Sequence, residues 1–148
     1  MKKFYIAIIV AALAMLCGCT QNNGHIGPIF GSWSLVGIEE EGKALPLEGE
    51  TVFSFQNEIL QVMRLESAQY TEVTKYGNFT ISNDVLILKF QNHPTESGNY
   101  MYMTPDWIHL PLDGNPIKFD VKKLSGSEMI LILNSGEKPL TYSFKKTW

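Results

Sequence analysis

Short apolar stretches, separated by turn residues, follow one another from Gly31 to Trp148. Three of the connections are very short, because Gln56-Asn57-Glu58, Ser82-Asn83-Asp84 and Ser125-Gly126-Ser127 each lie between two apolar stretches. Connections of this length join neighbouring strands in antiparallel order. The best candidate for a long amphipathic helix, residues 40–50, contains two glycines and a proline, which disfavour a helix. The pattern therefore predicts an all-β domain.

Eight to ten strands fit into this length of chain. They are expected near residues 32–39, 51–56, 59–66, 72–82, 85–91, 100–104, 107–112, 117–124, 128–134 and 139–147. Residues 92–116 are rich in proline, which cannot donate to a ladder, so this region is expected to be edge strand or loop. So many short strands need closure or a second sheet to cover their edges. A closed barrel of eight strands has room inside for side chains or for one small ligand.

Alternation along the strands predicts which side chains face the interior. The interior side chains are expected to be Phe53, Phe55, Met63, Phe79, Leu88, Phe119, Leu131 and Tyr142. They line a ligand cavity if the barrel is hollow, and they form the core if it is filled. Two strands are apolar on their outer face as well, so that either another element covers this face or it offers a contact surface. The outer residues are Val85, Ile87, Ile130 and Ile132.

The first residues have the layout of a secretory signal. Two lysines precede an apolar run of 13 residues, Phe4–Leu16, which is too short to cross a bilayer of about 30 Å as a helix. The following Leu16-Cys17-Gly18-Cys19 resembles the lipobox of bacterial lipoproteins, in which small Gly18 precedes the acceptor Cys19. An ordinary cleaved signal is the alternative. We therefore predict a signal peptide at 1–18, a lipidated flexible tether at 19–30 and a folded domain at 31–148.

Lipidation at Cys19 implies an anchor in the cell envelope. Two or three acyl chains hold a protein on a membrane more firmly than one chain does. Thr20 follows the acceptor, where inner-membrane lipoproteins of well-studied bacteria carry an acidic residue, so the analogy implies the outer membrane. After cleavage the only remaining cysteine carries lipid, which leaves neither a disulfide nor a catalytic thiol.

Several motifs, in this order and spacing, resemble the lipocalin-like domains of bacterial lipoproteins, especially those of Bacteroidetes. They are Gly31–Val36, which matches the Gly-x-Trp opening of calycin barrels such as lipocalins and fatty-acid-binding proteins, Tyr76–Ile81 with Asp84–Leu88, Phe119–Leu124 with Met129–Leu133, and Tyr142–Lys146. The resemblance spans about four-fifths of the mature chain, and it implies an up-and-down antiparallel β-barrel of about eight strands. It also implies that Trp33 closes one end of the barrel, with Lys145 or Lys146 lying over its ring.

Motifs for catalysis, metals and nucleic acids do not stand out. His25, His93 and His109 lack metal-ligand spacing, and the sequence contains neither a Gly-x-Ser-x-Gly elbow nor a Gly-rich phosphate loop. Most acidic residues fall in predicted turns, which leaves a hydrolase with paired carboxylates only as a remote alternative. The net charge of −3 without a basic stripe disfavours nucleic acid. We predict no catalytic residue, no metal site and no cofactor.

Aromatic and methionine side chains cluster in the proline-rich region. Tyr100, Met101, Tyr102 and Met103 alternate along the chain, and Trp107 follows them. Methionine adapts to irregular ligands, and tyrosine combines an apolar ring with a hydroxyl. The cluster is expected to form the mouth of a cavity, a patch that docks on a partner, or a small core of its own.

The expected function is that of a membrane-anchored lipocalin-like lipoprotein that binds a small apolar or amphipathic ligand in its barrel without catalysis. The alternative is an interaction or accessory module of the cell envelope, with a filled barrel and a protein partner. That partner would dock on the apolar outer residues or on residues 100–108.

Overall fold

The computed structural model describes residues 27–66, 71–94, 100–102, 104–114 and 116–148. Regular structure within these ranges consists of strands alone. In chain order they are β1 (Gly31–Glu40), β2 (Lys43–Ala44), β3 (Glu50–Gln56), β4 (Ile59–Glu66), β5 (Thr71–Ser82), β6 (Val85–Phe90), β7 (Asn92–Pro94), β8 (Tyr100–Tyr102), β9 (Ile117–Leu124), β10 (Glu128–Leu133) and β11 (Leu140–Lys146). The predicted signal peptide and most of the predicted tether, including Cys19, lie outside the described residues.

Eight of the strands close into an antiparallel barrel. Their order is β11-β10-β9-β6-β5-β4-β3-β1, and β1 pairs again with β11, from Trp33 opposite Lys146 to Glu40 opposite Leu140. Short β2 pairs with the end of β1, and β7 and β8 form a separate two-stranded ribbon. The predicted all-β, up-and-down barrel of about eight strands is confirmed. Closure hides the strand edges that an open sheet would expose.

Tight turns connect consecutive strands at one end of the barrel. Asn57 has a φ of 56°, and Asn83 and Asp84 have φ values of 49° and 59°. Asparagine and aspartate tolerate this left-handed conformation, and two such residues in succession match the twist of a β-hairpin. In the third turn the Ser125 hydroxyl accepts a hydrogen bond from the Glu128 amide at 3.0 Å. The predicted turns therefore join β3 to β4, β5 to β6 and β9 to β10.

The two ends of the barrel differ in their connections. The three tight turns, the start of β1 and the end of β11 lie at one end, here called the turn end. At the opposite end, here called the mouth end, longer stretches of chain link the strands. They include residues 41–49, 91–116 and 134–139.

Gly31 lies at the start of β1, beside the residues that follow β11. Its φ of 113° is one that side-chain-bearing residues rarely adopt, and a Cβ atom there would lie 2.1 Å from the Trp148 carbonyl oxygen. The same carbonyl accepts a hydrogen bond from the Ser32 amide at 2.9 Å. Glycine at this position therefore permits the barrel to close.

The expected strand at 107–112 is wrong. Residues 106–109 form turns, and His109 has a φ of 58°. Pro105 and Pro111 flank this stretch, and a proline cannot donate to a ladder. The apolar residues here pack into the mouth end of the barrel as a loop.

Candidate functional site

Trp33 closes the turn end from inside the barrel. Its side chain is fully buried, and its indole Nε1 donates a hydrogen bond to the Ile29 carbonyl oxygen at 2.7 Å. Lys146 Nζ lies 5.0 Å from the centroid of the Trp33 ring and also donates to the Pro28 carbonyl oxygen at 3.2 Å. Lys145, the other predicted partner, lies on the opposite face of β11 and is exposed. The cation over the indole is thus Lys146.

The barrel interior contains seven of the eight predicted side chains. All seven are buried: Phe53, Phe55, Phe79, Leu88, Phe119, Leu131 and Tyr142. Three edge-on ring pairs connect the aromatic ones, with centroid distances of 5.0 Å for Phe53–Phe144, 4.9 Å for Phe55–Phe79 and 5.3 Å for Phe119–Tyr142. Edge-to-face pairs at this distance favour a well-ordered core. Whether any of the seven touches a ligand stays a prediction.

Met63, the eighth, does not face the interior. It is half-buried, and its neighbours Val62 and Leu60 take the buried positions of β4. Both faces of this strand contain apolar residues, so alternation alone cannot decide which face is inside. The register decides it, because Val62 pairs with buried Phe53, whereas Met63 pairs with half-buried Val52.

Residues 104–110, here called the mouth segment, close the opposite end of the barrel. Trp107 is buried there, and its indole Nε1 donates a hydrogen bond to Thr51 Oγ1 at 3.1 Å. The Arg64 guanidinium carbon lies 4.8 Å from the centroid of the Trp107 ring. Arg64 is itself mostly buried, and its Nη1 lies 3.3 Å from Glu48 Oε2. The second tryptophan of the barrel is therefore placed between a buried hydroxyl and a cation.

Tyr142 of β11 also ties the mouth segment to the barrel wall. Its hydroxyl is within hydrogen-bond distance of the carbonyl oxygens of Ile108, at 2.9 Å, and His109, at 3.2 Å. Burial raises the pKa of Tyr142 well above its ordinary value, since the interior disfavours a phenolate. Tyr142 was predicted from alternation as an interior residue, and it contributes a polar contact at the mouth as well.

Two residues of this arrangement were missed by the sequence reasoning. Thr51 and Arg64 lie in the inward rows of β3 and β4, two positions from buried Phe53 and Val62. The same alternation that selected the phenylalanines therefore points inward at Thr51 and Arg64. A polar residue on an inward row indicates a buried polar contact, because a buried polar group requires a hydrogen-bond partner. This signal could have identified both residues.

The predicted tyrosine–methionine cluster is only partly described. The backbone of Tyr100, Met101 and Tyr102 pairs with Asn92–Pro94 in the separate ribbon. The side chains of these three residues, and all of Met103, lie outside the described part of the structure. Their role as a mouth or docking patch stays a prediction, and Trp107 is the described member at the mouth.

The apolar outer residues do not form one continuous patch. Strand β9 lies between β6 and β10, and it presents exposed Lys118 opposite Ile87 and exposed Lys123 opposite Ile130. A row of charges therefore divides the predicted docking surface, and its four members are half-buried: Val85, Ile87, Ile130 and Ile132. Docking of a partner on these residues stays a prediction, and a partner bound there would also contact the charges of β9.

An open groove of about 570 Å³ lies beside the mouth segment. Leu110, Leu133 and Leu140 provide its apolar wall, and Glu40 and Lys138 provide charge. Lys138 Nζ also lies 2.8 Å from Glu41 Oε2, beside the paired ends of β11 and β1. The groove extends the surface that a ligand would meet next to the mouth segment.

Metal-binding residues do not converge in the described ranges. No group of three histidine, cysteine, aspartate or glutamate side chains is close enough there to hold a metal ion. His109 is exposed in its turn, His25 lies outside the described residues, and the side chain of His93 does as well. In the described part of the chain, we also find no helix with the length and apolarity to cross a membrane.

Comparisons with known proteins agree with the barrel. A family model for a lipocalin-like domain matches residues 14–147. A lipocalin-like protein from Bacteroides uniformis ATCC 8492 has a similar crystal structure, with a TM-score of 0.59, 20% sequence identity and coverage of 81% of this chain and 99% of that one. An uncharacterized protein from Bacteroides eggerthii DSM 20697 has a TM-score of 0.60, 16% identity and coverage of 79% and 98%. A search of curated proteins found no match.

These comparisons confirm the predicted resemblance. The two crystal structures share the fold, and the family model covers nearly the whole chain. Lipocalin-like barrels generally bind ligands without catalysis, so the fold suggests a function of the ligand-binding type. The chain belongs to the family of lipocalin-like domains.

Proposed function

We propose that this protein is a membrane-anchored lipoprotein whose barrel binds a small apolar or amphipathic ligand without converting it. The ligand occupies the interior at the mouth end, in the space that Trp107 and Ile108 fill in the structure. In this proposal the mouth segment acts as a replaceable plug. Aromatic side chains fill the interior towards the turn end, and they form the floor of the proposed site.

The way the mouth segment is attached supports this proposal. It buries Trp107, Ile108 and Leu110, but no strand pairing links it to the barrel wall in the described part of the chain. Its described ties to the wall are the hydrogen bonds with Thr51 and Tyr142 and the stacking on Arg64. Hydrogen bonds of this kind contribute about 1 kcal/mol each, which an apolar ligand of similar size can offset by burial.

The mouth end is rich in acidic side chains, but the mostly buried guanidinium that stacks on Trp107 favours an amphipathic ligand with an acidic head. Arg64 stacks on Trp107, and Lys75 lies in the inward row of β5 opposite Val62. When Trp107 leaves, a carboxylate or phosphate can take its place beside the Arg64 guanidinium. The apolar body of the ligand then takes over the contacts of Trp107 and Ile108.

Ligand binding can be tested on protein purified from its own host. We expect native mass spectra to contain a co-purified small molecule that is released on unfolding. The emptied protein should bind 11-(dansylamino)undecanoic acid, and W107A should bind this probe severalfold more tightly because the plug no longer competes. W148A, with its change at the opposite end of the barrel, is the matched control. Empty spectra together with no probe binding would overturn the proposal.

The proposed anchor rests on Cys19 and the preceding Leu16-Cys17-Gly18. Its test is metabolic labelling with an alkyne derivative of palmitate, followed by mass spectrometry of the mature protein. We expect C19A to lose the label and C17A to keep it, since Gly18 and not Leu16 precedes the acceptor. Fractionation of labelled cells should place the protein in the outer membrane. Label that persists in C19A contradicts the anchor.

An accessory module with a filled barrel is the second candidate. Ile59 is 53% exposed and Tyr76 is 46% exposed on the outer face of β4 and β5, diagonal to one another across the two strands. Exposed apolar neighbours of this kind are typical of contact surfaces. A partner that co-purifies with the wild type and is lost from an I59K/Y76K variant supports this candidate, provided that ligand binding is unchanged.

A further inference from the structure

We propose that the turn end of the barrel lies on the bilayer that holds the anchor, with the Trp148 ring placed among the lipid headgroups. This inference rests on the proposed lipid attachment at Cys19. It adds a contact surface and an orientation: the turn end faces the membrane, and the mouth end faces away from it.

Apolar side chains collect at the turn end. Trp148 is 74% exposed, and its ring lies 6.0 Å from that of Phe30. Ile59 and Ile81 are exposed beside the turns that join β3 to β4 and β5 to β6. Tryptophan has a particular preference for the membrane–water interface, because its ring is apolar and its indole N–H is polar. These four side chains, Phe30, Ile59, Ile81 and Trp148, are here called the turn-end rim.

The path of the chain brings the anchor to the same end. Gly27 is the first described residue, and the segment that follows it crosses the turn end, where the Pro28 carbonyl accepts the bond from Lys146. Cys19 precedes Gly27 by eight residues. Even a fully extended chain spans at most about 3.6 Å per residue, or roughly 30 Å here. The bilayer is therefore within a short distance of the turn-end rim.

Charge favours the same orientation. Acidic side chains are concentrated at the mouth end, in Glu39–Glu41, Glu48 and Glu50. The turn end is more nearly balanced, because Glu58, Asp84 and Glu128 lie there together with the basic residues Lys122, Lys123, Lys145 and Lys146. An anionic lipid surface attracts basic residues within a Debye length and repels acidic ones. The mouth end is thus turned away from the membrane, and the mouth segment faces solution.

The three tryptophans allow a direct test. Trp33 and Trp107 are buried inside the barrel, and Trp148 is exposed. The acylated protein is reconstituted into vesicles of phosphatidylethanolamine and phosphatidylglycerol, with or without bromine on the acyl chains close to the headgroups. Bromine quenches only those indoles that it approaches closely. We expect brominated vesicles to remove up to about a third of the wild-type emission, the share of one tryptophan in three, and almost none of the W148F emission.

A reporter at the opposite end serves as the matched control. Leu112 is exposed in the long mouth-end connection. In a W148F/L112W variant the new indole should stay unquenched by brominated lipid and accessible to iodide in the water. Quenching of this reporter, or equal emission of the wild type in both kinds of vesicle, overturns the inference. The comparison of the two vesicle types in the wild type needs no variant to fold.

The same preparation separates this inference from the proposed anchor. Mass spectrometry of the reconstituted sample reports whether Cys19 carries acyl chains. A protein without acyl chains that does not stay with the vesicles contradicts both proposals. An acylated protein that stays with the vesicles, with Trp148 unquenched and accessible to iodide, contradicts only the orientation and leaves the anchor intact.

Discussion

Two tryptophans close the two ends of this barrel in different ways. Trp33 belongs to strand β1, whose ladder with β3 and β11 fixes its backbone on both sides. Trp107 belongs to a loop, and the indole is held by one hydroxyl, one cation and the carbonyl contacts of its neighbours. The same side chain is thus held by strand ladders at the turn end and only by side-chain and carbonyl contacts at the mouth end, where the proposed function requires it to move. Under the proposed function, the fixed end keeps the barrel closed while the other end admits the ligand.

Truncation of the two indoles should give the largest contrast. W33A should lower the free energy of unfolding by about 3–5 kcal/mol, because the ladders around Trp33 prevent collapse into the cavity. W107A should lower it by about 2 kcal/mol or less, since the mouth segment can settle into the space. Urea unfolding followed by far-ultraviolet circular dichroism measures both. Equal losses would mean that the mouth segment is as fixed as the strand.

Tyr142 provides a pH-dependent test of the mouth-end contacts. The unfolded phenol ionises at its ordinary pKa of about 10, whereas the buried one keeps its proton to higher pH. Stability should therefore be unaffected at neutral pH and fall as the pH rises above 10, by up to about 1.4 kcal/mol per pH unit. Y142F should lack this part of the fall, and it should lose about 1 kcal/mol at neutral pH with the hydrogen bond. Urea midpoints measured from neutral to alkaline pH, parallel for the two proteins, would contradict the assignment.

Thr51 tests how firmly the plug is held. T51V keeps the shape of the side chain but removes the acceptor for the Trp107 indole, so the expected loss of stability is about 1 kcal/mol. The same change should tighten binding of the dansyl probe, since the plug then leaves at lower cost. T51S keeps an acceptor and is the control. A T51V protein with weakened probe binding would show that Thr51 contacts the ligand instead.

Lys146 should produce the smallest effect, at the turn end. K146M removes the cation from the face of Trp33 and should lower the free energy of unfolding by about 0.5–1 kcal/mol. K145M changes the exposed neighbour on the opposite face of β11 and should leave stability nearly unchanged. Neither variant should alter probe binding. A change in probe affinity in K146M would show that the two ends are coupled.

Local signals were sufficient to predict the hairpins of the barrel. Asn57, Asn83 and Asp84 adopt left-handed conformations that few other residues tolerate, so the hairpins could be read from neighbours in sequence. Phe53 and Phe55 alternate with Ser54 and Gln56, which identifies their face. The closure of β1 on β11 followed from the resemblance and from the need to cover strand edges.

The mouth end could not be predicted in the same way. Trp107, Ile108 and Leu110 follow one another much as they would in a strand, and only contacts with distant Thr51 and Tyr142 determine that they form a plug. The prediction that Met63 faces the interior was wrong for a related reason. Both faces of β4 contain apolar residues, so the pattern fits either face. Where a segment lacks a clean period, long-range packing decides its place, and the local sequence does not record it.

The pairing of β1 with β11 has a consequence for biogenesis. A ribosome makes the chain from its first residue onward, so β1 exists long before its partner, more than a hundred positions later, is available. Until then the sheet has two unpaired edge strands. The β1–β11 pairing has the largest sequence separation, so we expect it to form last. Until the last strand is made, the unpaired edges of the sheet are exposed, and exposed edges favour aggregation and binding by chaperones.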